Sequence, residues 1–199
     1  MGFEFAECEI KGLIEIQPKI LGDARGYFFE SYNERDFFAA GIRERFVQDN
    51  QSMSKKGVLR GLHFQKRFPQ AKLVRALCGK SYDVAVDLRD KSPTFGKWHG
   101  VVLDSERQNQ LYIPKGFAHG FFVLSERALF SYKCSDFYHP EDEGGIIWND
   151  PTIGVDWLCA AENFCPGVEP ILSEKDKKLP SFDLRAKYFS ADALSWLGE

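Results

Sequence analysis

No stretch of this sequence approaches the roughly 20 apolar residues that a membrane-crossing helix needs; its apolar runs are short and broken by charge. No apolar segment follows the mixed, acidic N-terminus either, so no secretory leader is expected. An excess of basic residues is also missing. Lys and Arg number 26 against 29 Asp and Glu, a net charge of −3, which argues against a nucleic-acid or membrane-surface partner. Cysteine is sparse: Cys8, Cys78, Cys134, Cys159 and Cys165 are scattered, with no C-x-x-C pair. Free thiols in a reducing cytoplasm are the expectation. No G-x-S-x-G elbow, G-x-G-x-x-G turn or P-loop occurs, so nothing points to a serine nucleophile, a dinucleotide or a P-loop nucleotide site.

What is present is a chain able to build a core, 44% hydrophobic and 15% aromatic over 199 residues. With no repeat, low-complexity tract or long linker, it reads as one domain over residues 1–199. Strands are expected at 12–18, 27–32, 45–52, 57–65, 72–77, 81–88, 97–103, 110–113, 119–124 and 128–134. Turn signals separate them at 8–12-residue spacing, the pattern of an all-β sandwich or barrel. Asn33 caps a short helix at 34–40 and Gly41 stops it. Along 81–88, Tyr82, Val84, Val86 and Leu88 share one face, and Asp83, Ala85 and Asp87 the other. Segment 139–181 is irregular, with a last helix at 190–197 capped by Ser190; together, 139–199 are expected to wrap the barrel.

The chain is organised around Gly57-Val58-Leu59-Arg60-Gly61-Leu62-His63-Phe64-Gln65. A plain core strand has no use for an Arg and a His. A strand lining a pocket does, because Arg holds anions and His exchanges protons near neutral pH. Strict alternation sets Arg60 and His63 on opposite faces; a bulge at Gly61 would turn both inward. A metal is not expected. The order His-Phe-Gln lacks a second ligand on that strand, although His119 follows Pro114-x-Gly116 in the manner of a cupin metal motif. His99 and His139 sit among polar, turn-like residues and read as solvated. Acid–base chemistry with cationic support remains, with His63, Lys72, Arg60, Tyr132 and His119 as candidates. Each also has a structural reading: a core tyrosine reaching the rim, a strand-edge lysine, a buried histidine.

Seven motifs in order resolve the choice: GDARGYFFESYN, FVQDNQSMSKKGVLRGLHFQ, AKLVRALCGKSYDVAVDLR, SPTFGKW, YIPKGFAHGF, WNDPTIGVDW and ILSEKD. Across residues 10–177 the chain resembles dTDP-4-dehydrorhamnose 3,5-epimerases, nucleotide-sugar epimerases of the cupin superfamily. The resemblance implies an all-β fold, a double-stranded β-helix (cupin jelly-roll barrel) with a few short helices. It also implies a homodimer, no metal or organic cofactor, and conversion of dTDP-4-dehydro-6-deoxy-D-glucose to dTDP-4-dehydro-L-rhamnose. By the same resemblance His63 is the general base, Asp176 its partner carboxylate, Tyr132 the general acid and Lys72 the stabiliser of the enolate oxygen. Arg25, Glu30, Gln48, Asn50, Arg60, His119, Glu143 and Lys175 line the substrate site, and Tyr138 stacks on the thymine. In the homodimer the strand at 12–18 is expected to meet a partner's sheet edge. Leu158 stands where relatives carry Pro, and the longer 158–170 segment bears on where Asp176 falls. Some relatives epimerise a single carbon or act on other nucleotide-4-keto-sugars. A ketoisomerase, or a non-catalytic nucleotide-sugar binder, is the remaining alternative.

Overall fold

Two antiparallel sheets face each other in the computed structural model, which describes residues 2–158, 164 and 166–189. Strands are numbered in chain order. One sheet runs β1 (Phe3–Glu7), β2 (Ile14–Pro18), β10 (Gln110–Ile113), β7 (Lys72–Cys78), β12 (Arg127–Cys134) and β5 (Gln48–Lys55). The other runs β13 (Glu143–Gly145), β6 (Leu59–Gln65), β11 (Phe117–Val123), β8 (Lys80–Asp87) and β9 (Trp98–Asp104). A hairpin of β3 (Leu21–Asp23) and β4 (Gly26–Phe28) stands apart. This is the expected jelly-roll architecture.

Helix α1 (Glu34–Ala39) begins at Asn33, whose side chain accepts the Arg35 N–H, and ends where Gly41 turns to φ +89°. Two elements differ from expectation. The aromatic strand at 27–32 shortens to β4, because its residues pair only with β3 and leave Phe29 to pack over the Arg75 guanidinium. The N-terminal strand is not an open edge. Residues 3–7, unassigned from sequence, form β1 and cover β2 along its whole length. The expected helix at 190–197 lies outside the described residues.

Between the sheets lies a core of Val74, Ala85, Leu111, Phe121, Phe130 and their neighbours. A second core covers the outer face of the five-stranded sheet. There Tyr82, Val84, Val86, Leu62 and Phe64 meet Trp157 and Phe182 of the C-terminal segment. Asp150, 3% exposed, holds that segment down by accepting the Phe182 N–H at 2.8 Å as well as those of Thr152 and Ile153. Strand β8 is therefore buried on both faces, and its alternating carboxylates do not mark a solvent side.

Asp87 closes one end of β8. It accepts from the Arg89 guanidinium (2.8 Å to each oxygen) and backbone N–H, and from the Ser92 and Thr94 hydroxyls. Burial alone raises the Asp87 carboxyl, but these donors outweigh it and hold it below the ordinary carboxylate range. Its contribution to stability is thus present above the unfolded pKa of about 3.9 and is lost as pH falls through the lower folded value. Asp87→Asn strands the Arg89 cation, at a cost of roughly 3–5 kcal/mol at neutral pH. Urea unfolding of both proteins should show that deficit at pH 7 and a shrinking one below about pH 4.

Candidate active site

Strand β6 departs from regular pairing where the sequence places Gly61. His119 pairs with His63, but Phe121 pairs with Arg60, so one residue of β11 opposes two of β6. Gly61 has φ +131°, and a Cβ there would stand 2.5 Å from the Gly120 Cα, so only glycine fits. The extra residue resets the alternation. Leu59, Leu62 and Phe64 join the outer core, and Arg60 turns inward with His63 and Gln65. Arg60 reaches across to Ser54 of β5 at 3.2 Å and acts on Tyr132 through its charge.

A cavity of about 230 Å3 opens between the sheets, lined by His63, Gln48, Asn50, Lys72, Tyr132, Tyr138 and Glu143 among others. His63 Nε2 lies 2.6 Å from Asp176 Oδ1. Asp176 opens a short 3-10 helix, Asp176–Lys178, and is 3% exposed. Burial works to raise its carboxyl, but the hydrogen bond to His63, with Ser173 and Lys175, outweighs burial and holds it low. An ionised carboxylate only accepts, so His63 Nε2 carries the proton and Nδ1 keeps its lone pair.

From the opposite sheet come Tyr132 and Lys72. In register Cys134 faces Lys72, and Tyr132 lies two residues back, with the Lys72 Nζ 5.9 Å from its ring centroid. Burial raises the Tyr132 phenol, as does Cys134, against the opposing pull of Arg60 and Asn50; it stays protonated at neutral pH. Burial lowers Lys72, against the charges of Cys134, Asp83 and Glu143. Gln48 and Asn50, on one face of β5, are joined at 3.1 Å.

Paired with His63 across the strands, His119 is buried and its Nε2 meets Asp83 Oδ2 at 2.9 Å. Burial lowers His119 despite that carboxylate, which leaves a neutral imidazole. Asp83 was not singled out from sequence, although a carboxylate between Tyr82 and Val84 in an apolar strand is the available signal; its Oδ1 is buried without a hydrogen-bond partner. Gln65, in place of a second ligand histidine, is committed to backbone: it donates to the Phe68 carbonyl and accepts the His139 N–H. At the rim, Glu143 accepts from the Tyr138 hydroxyl at 2.7 Å and from the Lys175 ammonium. Despite burial, these donors hold Glu143 anionic, and that bond to Glu143 lifts the Tyr138 phenol to about 12.

Two expected residues lie elsewhere within a single chain. Arg25 sits on the β3–β4 hairpin, 90% exposed and paired with Asp23 at 2.6 Å. Glu30, in the loop after β4, accepts from Asn33 at 3.4 Å. The two histidines read as solvated are engaged. His99 is held by Glu15 at 2.9 Å, and His139 stacks on Phe68.

A family profile described as dTDP-4-dehydrorhamnose 3,5-epimerase matches residues 7–183. The chain belongs to this epimerase family. It is 53% identical over 174 residues to the dTDP-4-dehydrorhamnose 3,5-epimerase of Pseudomonas aeruginosa, covering 87% of this chain and 92% of that protein. To the same enzyme of Methanothermobacter thermautotrophicus it is 50% identical, covering 88% and 92%. The crystal structure of dTDP-6-deoxy-D-glucose-3,5-epimerase from Legionella pneumophila, in complex with dTDP-4-keto-L-rhamnose, superposes with a TM-score of 0.85. It is 48% identical, with 92% of this chain and 95% of that one covered. The family is one of isomerases, and the jelly roll is its fold. Among the described residues, no helix is long and apolar enough to cross a membrane.

The His63–Asp176 contact carries a direct test. Asp176→Asn keeps the shape but can present an N–H to His63, releasing the tautomer that leaves Nδ1 free. We expect kcat to fall about 10²–10⁴-fold with KM little changed, measured by steady-state epimerisation.

Proposed function

We propose that the cavity takes dTDP-4-dehydro-6-deoxy-D-glucose and epimerises C3 and C5 to give dTDP-4-dehydro-L-rhamnose, through enolates and with no cofactor. The observation that carries this reading is the placement of His63 and Tyr132 on facing sheets around one cavity, with Lys72 beside the tyrosine. Inversion beside a ketone needs a proton taken from one face of a carbon and another delivered to the opposite face. His63 Nδ1 takes the first, and the electron pair of the broken C–H bond passes to the C4 oxygen. An amine aimed at that oxygen stabilises the enolate more than the ketone. Burial makes Lys72 the more acidic and so the better matched donor. Tyr132 then gives its proton to the opposite face. His63 and Tyr132 return to their starting states by exchange with water before the second carbon reacts.

Arg60 supplies a cation for an anionic part of the substrate, and Tyr138 a half-exposed ring for the base. Gln48, Asn50, His119, Glu143 and Lys175 complete the polar wall. Arg25 and Glu30 enter this reading through a homodimer. The β3–β4 hairpin exposes Leu21, Tyr27 and Phe28, apolar side chains that a second copy would cover, with Arg25 brought to the diphosphate. A single domain in the cytoplasm, with Cys8, Cys78 and Cys134 free, accords with the thiols described. Light scattering at micromolar concentration should give twice the chain mass.

Turnover in heavy water should place deuterium at both C3 and C5; one deuteron would identify a single-carbon epimerase. Tyr132→Phe separates acid from base. The enolate still forms, so deuterium should wash into the substrate while product formation falls at least about a hundredfold. Inversion at the parent rate in Tyr132→Phe would remove Tyr132 from the acid role.

A further inference from the structure

Away from the cavity, Cys8, Glu15 and His99 bring one ligand atom each to within 4.8 Å of one another, the only such trio among the described residues. They come from three places in the fold. Cys8 follows β1, its backbone N–H bonded to the Leu13 carbonyl at 2.9 Å. Glu15 lies in β2, between Ala6 and Leu111 in register. His99 lies in β9, the strand at the end of the other sheet, opposite Ala85. All three are partly buried.

The geometry converges on one atom. His99 Nε2 lies 3.5 Å from the Cys8 sulfur and 2.9 Å from Glu15 Oε1. A single ring nitrogen serves one of these neighbours well. With a proton it suits the carboxylate, and with a lone pair it suits the thiol. A divalent cation at the focus satisfies all three. A tetrahedral ion with metal–sulfur and metal–nitrogen bonds of about 2.3 and 2.0–2.1 Å separates S from N by about 3.5 Å, and N from O by about 3.3 Å. The first separation is already present. The second needs an opening of a few tenths of an ångström, within reach of the Glu15 side chain, which is 41% exposed.

Glu15 and Glu7 add negative charge beside the sulfur. Burial and the charges of Glu15 and Glu7 push the Cys8 thiol up to about 11, so without a cation the proton stays on sulfur. The Glu15 backbone N–H, which opposes that shift, is placed to support sulfur as a ligand.

We propose that Cys8, Glu15 and His99 form a zinc-class divalent metal site that ties the β1–β2 hairpin to β9 and so clamps the two sheets together. The sulfur–hydrogen bond of Cys8 is exchanged for a sulfur–metal bond, its proton passes to water, and a water fills the fourth position. Mixed sulfur, nitrogen and oxygen ligands select zinc over calcium or magnesium. The site is structural and separate from the proposed epimerase residues, which lie on β5, β6, β7, β12, β13 and the Asp176–Lys178 turn.

The test uses the untagged full chain, stripped with a chelator and titrated with Co²⁺ and then Zn²⁺. We expect one metal per chain, a thiolate-to-cobalt charge-transfer band, and a midpoint of thermal unfolding that rises with Zn²⁺ concentration. Cys8→Ser should abolish the band. Cys8→Ser and His99→Ala should each weaken binding by more than the roughly 10–100-fold that loss of a merely supporting residue brings. Cys78→Ser should keep both band and affinity. Epimerisation should be the same with and without metal. If a core-side variant fails to fold, Glu15→Gln, on a more exposed side chain, decides by its own loss of affinity. Absence of stoichiometric binding, a band that survives Cys8→Ser, or affinity unchanged in the variants overturns the proposal.

Discussion

The close approach of β6 to β11 at Gly61 is the constraint on which the active face rests. A Cβ at Gly61 would meet the Gly120 backbone, and one at Gly120 would stand 2.7 Å from the Arg60 carbonyl oxygen. Two glycines facing across the strand pair therefore permit a bulge that no larger residue tolerates. The bulge sends Arg60 and His63 to the same side while Leu59, Leu62 and Phe64 stay in the outer core. Without it, either the histidine or the arginine would point into hydrocarbon.

Around that face, the barrel manages charge by giving its buried carboxylates hydrogen-bond donors. An unpaired buried carboxylate costs several kcal/mol and would take up a proton instead. Asp176 escapes this through His63, Ser173 and Lys175, and Glu143 through Lys175 and Tyr138. Asp83 gives one oxygen to His119. The consequence is a defined set of protonation states at neutral pH: anionic Asp176 and Glu143, a neutral His119 and a protonated Tyr132. These are the states that the proposed inversion asks of these groups.

The irregular C-terminal segment does two jobs by one physical means. It has little regular backbone pairing, so its order comes from side chains packed on the outer face of β6, β8 and β11 and from backbone N–H groups captured by Asp150. Ile171 bridges Val58 at the start of this cover, and Asp176 follows five residues later, within reach of His63. The packing that shields the sheet is also what delivers Asp176 to His63.

Much of this was readable in the chain alone. Period-two patterning and turn residues located most strands, because each strand of a sandwich must bury one face at a time. Asn33 and Gly41 bounded the helix through local hydrogen bonding and φ. The pairing of Arg60 and His63 around Gly61 announced a bulge, since polar groups of that kind have no place facing a core. The shared parity of Gln48 and Asn50 marked the polar wall. What the chain alone did not disclose depends on partners distant in sequence. Asp83 and Asp87 share one face with Ala85 in the chain alone, and only the closing of the two sheets and the turn after β8 bury them. His99 looks solvated until β2 brings Glu15 against it, and residues 3–7 become a strand only because β2 offers an edge. Whether Asp176 meets His63, 113 positions away, is decided by how the intervening chain packs. Local propensity and periodicity act over a few residues; burial and charge pairing are properties of surfaces that exist only once the sheets have closed.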